Sequence, residues 1–139
     1  MDAAGMQAYK ANLLRVCVAD SRFTGAEFAE SCFEDCTFKN VVFNAAGFRF
    51  AIFKRVVFDG CVLRATDFGS ASLTNVRFVG CNFEDAIFAS AKCQNVDITT
   101  EDITGVKGVL GLKGCLISQV QLGQLAPLLA AELGFHVVD

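Results

Sequence analysis

One residue class recurs every five positions along most of this chain, without an insertion or a deletion. Starting at Phe23, every fifth residue as far as Ile103 is Phe, Leu or Ile, with Cys93 as the one exception. Twelve of the 14 phenylalanines fall in this single phase. A five-residue period matches neither the 3.6-residue period of an α-helix nor the two-residue period of a strand. Each five-residue unit must therefore turn a corner.

A second phase, two residues before each of these centres, is equally restricted. All 18 such positions from Ala11 to Val96 hold Ala, Cys, Ser, Thr or Val. Three of the seven cysteines (Cys36, Cys61 and Cys81) lie in this small-residue phase, and Cys93 lies in the phase of the centres. Because their spacing follows the repeat, we interpret them as reduced core residues of a cytoplasmic protein, without disulfide or metal bonds.

Length and composition limit the classes of protein that fit. A chain of 139 residues with 53% hydrophobic content forms one domain with a continuous core. No uninterrupted apolar run approaches the ~18 residues of a membrane helix, and the N-terminus lacks the pattern of a signal peptide. A net charge of −3 argues against direct binding of nucleic acid, which requires a basic surface. We therefore expect a cytoplasmic protein with neither a membrane nor a nucleic acid as its partner.

The unit of small residue, variable residue, large centre and two further variable residues closely resembles the pentapeptide-repeat family. Typical units are Ala26-Glu27-Phe28-Ala29-Glu30 and Ala86-Ile87-Phe88-Ala89-Ser90. The resemblance covers about residues 11–105. It implies an all-β solenoid, a right-handed quadrilateral parallel β-helix with four pentapeptides per 20-residue coil and with both restricted phases pointing inward. The expected core centres are Phe23, Phe28, Phe33, Phe38, Phe43, Phe48, Phe53, Phe58, Leu63, Phe68, Leu73, Phe78, Phe83 and Phe88.

The charged residues test the coil length independently, because stacked coils bring residue n beside residue n+20 at about 4.8 Å. Seven charged pairs occur at that offset between Lys10 and Gly105, and all seven are opposite in sign. At an offset of 15 there are two opposite pairs and four like ones. The charges therefore select 20 residues per coil. The pairs are Lys10 with Glu30, Arg15 with Asp35, Glu34 with Lys54, Asp35 with Arg55, Lys39 with Asp59, Arg64 with Glu84, and Arg77 with Asp97.

Three segments are expected along the chain. Residues 1–10 have only Ala3 and Ala8 in the centre phase, so they are expected to form a leader or a partial cap. Residues 11–105 form the solenoid, and residues 106–139 a glycine-punctuated exit loop followed by a helical cap. Val42, Val57 and Val62, together with Phe50 beside Arg49 and near Ile52, are outward apolar residues: either a contact patch or ordinary exposed side chains.

The C-terminal segment carries the signals of one helix. Ser118 and Gln121 form a capping-box pattern at its start, and Gly134 is a candidate C-cap. Pro127 is expected to kink the helix or to begin a second one. Four leucines at helical spacing are expected to cover the open end of the last coil and are the candidates for a dimer interface: Leu122, Leu125, Leu129 and Leu133. In gyrase-protecting members of the resembling family a C-terminal helix also mediates dimerisation. This helix is thus expected either to cap alone or to cap and form a homodimer.

The sequence offers no arrangement typical of catalysis. The one histidine, His136, lies in the tail, and the adjacent Glu84 and Asp85 form an incomplete ligand set for a metal. We therefore expect no enzyme, no cofactor and no metal site. The primary prediction is a rigid scaffold that binds a protein partner.

The resemblance adds the alternative of a DNA mimic that modulates gyrase or a related topoisomerase. Five coils give a rod of roughly 22 Å, equivalent to about 13 phosphates of B-DNA. A net charge of −3 over residues 11–105 falls far short of that density.

Overall fold

The computed structural model describes all 139 residues as a parallel β-solenoid of about five turns with a single C-terminal helix. The expected fold class is therefore confirmed. The helix-free part is built of short strands joined by turns, and every strand pair is parallel. The elements are β1 Asn12–Leu14, β2 Cys17–Ala19, β3 Cys32–Glu34, β4 Thr37–Lys39, β5 Ile52–Asp59, β6 Ser72–Val79, β7 Lys92–Asp97, a 3-10 helix Val109–Leu112, β8 Cys115–Leu116 and α1 Gln119–Glu132.

The register between coils is 20 residues from β1 to β7. Leu13 lies beside Phe33, Phe33 beside Phe53, and Phe53 beside Leu73. Isolated bridges extend the same offset to the other two sides of the square, for example between Val42 and Val62. The offset falls to 19 only at the last coil, where β7 pairs with β8.

Residues 1–10 belong to the first coil, which corrects the expectation of a leader or partial cap. Asp2 bridges to Arg22, and Gln7 to Glu27. The backbone N–H of Ala3 donates to the Arg22 carbonyl at 2.7 Å. These bonds are made by the backbone, so they form even though Ala3 and Ala8 are too small for the repeat to be recognisable from side chains.

The interior is a stack of phenylalanine rings. All fourteen predicted centres are buried, and Phe48, Phe53, Phe58 and Phe68 are completely inaccessible. Rings one coil apart lie nearly parallel: the Phe48 centroid is 5.3 Å from those of Phe28 and Phe68, with interplanar angles of 7° and 12°. Rings on adjacent sides of the square meet mainly edge to face. Both arrangements are favourable for aromatic pairs.

Polar side chains in the small-residue phase also donate hydrogen bonds to backbone carbonyls, a role that the sequence analysis did not predict. The hydroxyl of Ser31 donates to the Ala8 carbonyl and that of Thr66 to the Phe43 carbonyl, both at 2.8 Å. The Cys61 thiol donates to the Phe38 carbonyl at 3.2 Å. In each case donor and acceptor are 23 residues apart, so a short polar side chain links one coil to the corner of the coil before it.

The corners require a left-handed backbone. Every fifth residue from Gly5 to Asn95 has a positive φ, and fifteen of these residues are not glycine. Gly60 and Gly80 adopt this conformation without strain, as expected for corner glycines. Gly105 lies in the same five-residue phase but does not adopt it, because the regular corners end before it.

At the C-terminal end, a turn of 3-10 helix replaces the pentapeptide that would follow Gly108, and α1 then covers the core. Ser118 and Gln121 form the predicted capping box in both directions. Pro127 does not begin a second helix, which corrects that part of the expectation, because α1 runs through it as one helix. The hydrogen bond that proline removes would have gone to Gly123, on the exposed side where water can replace it. Gly134 follows the helix in the left-handed conformation.

Candidate interaction surfaces

The predicted charge pairs lie on the outside of stacked coils, in register. Glu34 stands opposite Lys54, Lys39 opposite Asp59, and Arg77 opposite Asp97. The Arg64 guanidinium is 3.6 Å from the Glu84 carboxylate. The register alone does not determine which charged side chains form ion pairs, because a long side chain can reach several neighbours on the same edge.

Arg55 is an example, because it pairs with two carboxylates. Its guanidinium Nε donates to Asp35 at 2.6 Å, as the 20-residue offset predicts. It also donates to Glu34, the residue before, so Lys54 is left without that partner. The hydrogen bond from Arg55 holds the pKa of Asp35 below its usual range.

Replacing Arg55 with alanine is expected to raise the pKa of Asp35 towards its ordinary value, because the hydrogen bond and the charge of Arg55 are the main causes that lower it. Carboxyl NMR titration would measure the change. A lowered pKa stabilises the folded state above the unfolded value and is lost as the pH falls through the folded value. The variant should therefore be less stable than wild type near neutral pH, and the difference should shrink as the pH falls through the folded pKa of Asp35. Arg64→Ala, which removes a cation from another edge, should leave the Asp35 titration unchanged. An unchanged pKa in the Arg55 variant would refute the ion pair.

Several outward acidic side chains accept hydrogen bonds from backbone N–H groups of their own turns. Asp67 accepts the N–H of Gly69 at 2.8 Å, and Asp102 accepts that of Thr104 at 2.9 Å. The pKa of Asp97 is lowered by hydrogen bonds from the backbone and side chain of Thr99. These carboxylates hold corners in place, so they are not simply a projecting acidic surface.

Glu101 is the one buried carboxylate. Its side chain is 5% exposed, Oε2 accepts the Cys81 N–H at 3.0 Å, and Oε1 has no partner. Desolvation raises its pKa, against the opposing effect of the Cys81 bond. It occupies the next position of the small-residue phase after Val96, where a carboxylate replaces the Ala, Cys, Ser, Thr or Val of the regular coils.

Glu101→Gln is expected to stabilise the protein by about 1 kcal/mol at pH 7, because a neutral amide removes the cost of burying a charge and keeps an acceptor for Cys81. A raised folded pKa means that stability falls as pH rises from the unfolded value through the folded one. The gain should therefore vanish near pH 4. Urea denaturation at both pH values measures it, with the exposed Glu84→Gln as control. A loss of stability at pH 7 would contradict the assignment.

Gln121 closes the last coil from above. It is 2% exposed, and its amide Nε2 donates to the carbonyls of Ile98 at 2.5 Å and Glu101 at 2.8 Å. It lies 20 residues after Glu101 and 23 after Ile98, so it occupies the position that Ser31 and Thr66 occupy in regular coils. The sequence analysis identified it only as a capping-box residue, although its spacing carried this second role.

The four predicted leucines of α1 divide between two surfaces. Leu125 and Leu129 pack against the core, together with Leu128, whereas Leu122 and Leu133 are 52% and 59% exposed. Leu122 and Leu133 therefore do not cover the last coil. The reason is rotation of the helix: burying Gln121 turns Leu122 to the side. The place of both leucines in a dimer interface stays a prediction.

Two further surfaces complete the description. The exposed Phe50 lies under the Arg49 guanidinium, 5.8 Å from the ring centroid, with Ile52 also exposed nearby. His136 is in the exposed tail, apart from the solenoid. No three His, Cys, Asp or Glu side chains converge as metal ligands, and no helix is long and apolar enough to cross a bilayer.

Solved structures of similar fold include proteins with different roles. Rfr23 from the cyanobacterium Cyanothece 51142 is 13% identical, over 67% of this chain and 87% of its own, at a TM-score of 0.42. Trypsin-treated QnrB1, a plasmid-mediated fluoroquinolone resistance protein, is 16% identical, over 99% and 98%, at 0.34. HetL from Nostoc sp. strain PCC 7120, involved in heterocyst differentiation regulation, is 14% identical, over 73% and 48%, at 0.41. Scores this low support no inference about role.

Sequence comparison is more decisive about family. No curated protein matches the chain. The family model described as a pentapeptide repeat region matches residues 31–107, more than half of the chain and the part in which most of the stacked phenylalanines lie. The chain therefore belongs to the pentapeptide repeat family.

Proposed function

We propose that this protein is a non-catalytic interaction scaffold that pairs with a second copy of itself through α1 and presents the rigid solenoid to a protein partner. The observation that supports this most is an apolar stripe on the outside of α1. Leu122, Ala126, Leu129 and Leu133 follow one another at intervals of four, three and four residues. Leu122, Ala126 and Leu133 are exposed, and the half-buried Leu129, which also packs against the core, forms the border of the stripe. That spacing is typical of a seam between two helices.

The stripe lies beside the face that covers the core, and its two ends are the exposed Leu122 and Leu133. Its neighbour on the solenoid is an apolar groove of about 310 Å³, lined by residues of the 3-10 helix, β8 and α1 that include Leu110, Ile117 and Leu125. The helix thus has two apolar surfaces, and the core needs only one.

The near absence of charge along α1 is compatible with a second copy of α1 packing against the stripe. Glu132 is the only charged residue in Gln119–Glu132, and it lies at the end of the helix. Two copies related by a two-fold axis would bring the stripes together without placing like charges in contact along the seam. The solenoids would then extend in opposite directions from a shared centre.

Sedimentation velocity tests the proposal. Wild type should sediment as a dimer, and Leu122→Asp and Leu133→Asp should each be monomeric at the same concentration, because a carboxylate cannot be buried unpaired in the seam. Val120→Asp is the matched control, since Val120 is 75% exposed on another side of the helix. A monomeric wild type would overturn this mode of pairing, and so would a Val120→Asp variant that is as monomeric as the two leucine variants.

Modulation of gyrase or a related topoisomerase by DNA mimicry is the second candidate, and the charge arrangement argues against it. B-DNA carries about one charge per 1.7 Å of axis. Here Arg55 pairs with both Glu34 and Asp35, and Arg49 lies 3.5 Å from Asp67. The acidic side chains are thus interleaved with basic ones on the same edges.

A supercoiling assay separates the two candidates. As a scaffold without DNA mimicry, the purified protein should leave gyrase supercoiling and its poisoning by fluoroquinolones unchanged at micromolar concentration. Inhibition of supercoiling, or relief of poisoning, would support mimicry and oppose our preferred assignment. An Arg55→Glu variant, which places a third carboxylate beside Glu34 and Asp35, should then inhibit more strongly.

A further inference from the structure

The chain crosses back over Cys93 after the last regular coil. Cys93 lies in β7, and its thiol donates to the Gly111 carbonyl at 3.4 Å. Gly114 packs so closely on the same residue that a Cβ added to it would overlap the Cys93 carbonyl oxygen. The next residue, Cys115, is the first of β8, which pairs with β7. Two cysteines are therefore brought together where the 20-residue register has ended.

The thiols of Cys93 and Cys115 interact directly. A hydrogen bond from the Cys115 thiol lowers the pKa of Cys93, and the same interaction raises the pKa of Cys115. Cys93 is thus the sulfur that more readily becomes a thiolate, which is the reactive form of cysteine. Cys115 keeps its proton beside it.

This pair differs in access from the other pair of neighbouring cysteines. Cys93 and Cys115 are both half-buried, and Cys115 lines the apolar groove of about 310 Å³ beside α1. Cys61 and Cys81 also interact with each other, but both are buried, and Cys61 is only 1% exposed. A small reagent can therefore approach the first pair from the groove, whereas the second pair is held inside regular coils.

We propose that Cys93 and Cys115 form a redox-active pair, a modification site at which a small hydroperoxide closes a disulfide and a small thiol opens it again. All seven cysteines are free in the structure, so the reduced form interpreted from the sequence is one of two states of this pair. The proposal does not depend on dimerisation through α1.

Hydrogen peroxide is the simplest oxidant for this reaction. The Cys93 thiolate attacks one peroxide oxygen, the O–O bond breaks and hydroxide leaves, so that the sulfur becomes a sulfenic acid. The Cys115 sulfur then attacks the Cys93 sulfur, the S–O bond breaks, and the oxygen leaves as water with the proton of Cys115. The hydroxide takes up the proton that Cys93 released. Two thiols and one peroxide thus give one disulfide and two waters.

The disulfide would fix the base of the helical cap. It would join β7 to β8, which leads directly into α1 through the N-cap Ser118. The loop that it closes, residues 93–115, contains the 3-10 helix and the buried Glu101. Because a closed loop of this size restricts the unfolded chain, oxidation should raise Tm by about 10 °C.

Peptide mapping of the wild-type protein tests the proposal without any substitution. The native protein is treated with hydrogen peroxide, remaining thiols are blocked with N-ethylmaleimide after unfolding, and trypsin then cleaves after Lys92, Lys107 and Lys113. A linked product of peptides 93–107 and 114–139 should appear, and dithiothreitol should separate it. Peptides 56–64 and 78–92, which contain Cys61 and Cys81, should be recovered unlinked and blocked.

Thermal denaturation followed by circular dichroism provides the second readout. The oxidised wild type should melt about 10 °C above the reduced protein, whereas Cys115→Ser should melt at one temperature with and without peroxide. Cys17→Ser removes an exposed cysteine of β2 and is the matched control, so it should respond to peroxide as wild type does.

Four results would overturn the proposal. They are the absence of the linked product from the native protein, its formation only in urea, linkage of Cys61 to Cys81 at least as readily, and an oxidised protein that melts like the reduced one. None of these results bears on the α1 dimer, which is tested by sedimentation of the reduced protein.

Discussion

Phe48→Ala is expected to destabilise the protein by about 3–5 kcal/mol, as large-to-small changes in a fully packed core do. Phe48 is completely inaccessible. Its ring contacts those of Phe28 and Phe68 in its own column, and those of Phe43 and Phe53 on the two adjacent sides, all with centroids 5.3 Å apart. Alanine would leave a cavity between coils that cannot close, because the strands on every side are fixed by the backbone ladder. Chemical denaturation measures the loss.

Phe50 provides the matched control for this measurement. It is the same residue type two positions further on, but it is 56% exposed and outside the core. Phe50→Ala should change the free energy of unfolding by no more than about 0.5 kcal/mol. Similar losses in the two variants would show that the ring stack is not what holds the coils together.

Gln121→Ala is expected to cost about 2–4 kcal/mol, the second largest effect. The change removes the donor to the Glu101 carbonyl and one of two donors to the Ile98 carbonyl, and buried acceptors left unpaired cost about 1–3 kcal/mol each. It also removes half of the capping box that starts α1. Urea denaturation followed by circular dichroism would measure the loss.

Gln119→Ala is the corresponding control, because Gln119 is the first residue of α1 and is exposed. It should be close to neutral. Hydrogen exchange adds a second readout: amides of α1 should exchange faster in the Gln121 variant than in the control. Equal stability of the two variants would mean that α1 does not seal the last coil through this side chain.

The regular part of this fold could be predicted because one local rule repeats. The period of five locates the inward centres, and opposite charges at an offset of 20 give the number of residues per coil. Both depend on side chains that are in equivalent surroundings in every coil. The pairing of Glu34 beside Lys54 follows from register alone.

Both ends of the solenoid were harder to predict, because equivalence is lost there. The first coil has no neighbour on one side, so Ala3 and Ala8 are tolerated as centres and the repeat becomes invisible in the sequence. At the other end, the rotation of α1 depends on burying Gln121, a polar residue that a search for apolar periodicity passes over. That search assigned Leu122 and Leu133 to the core, whereas the structure places them outside.

Duplication of one full coil tests the central claim, that the fold is a stack of identical 20-residue turns. Residues 61–80 would be repeated directly after Gly80, and residues 61–75 would be repeated in a second chain that gains only three sides of a square. The account predicts that the 20-residue duplication folds with native-like circular dichroism and unfolds cooperatively, whereas the 15-residue one loses stability or fails to fold. Equal tolerance of the two insertions, or failure of the 20-residue one alone, would contradict it.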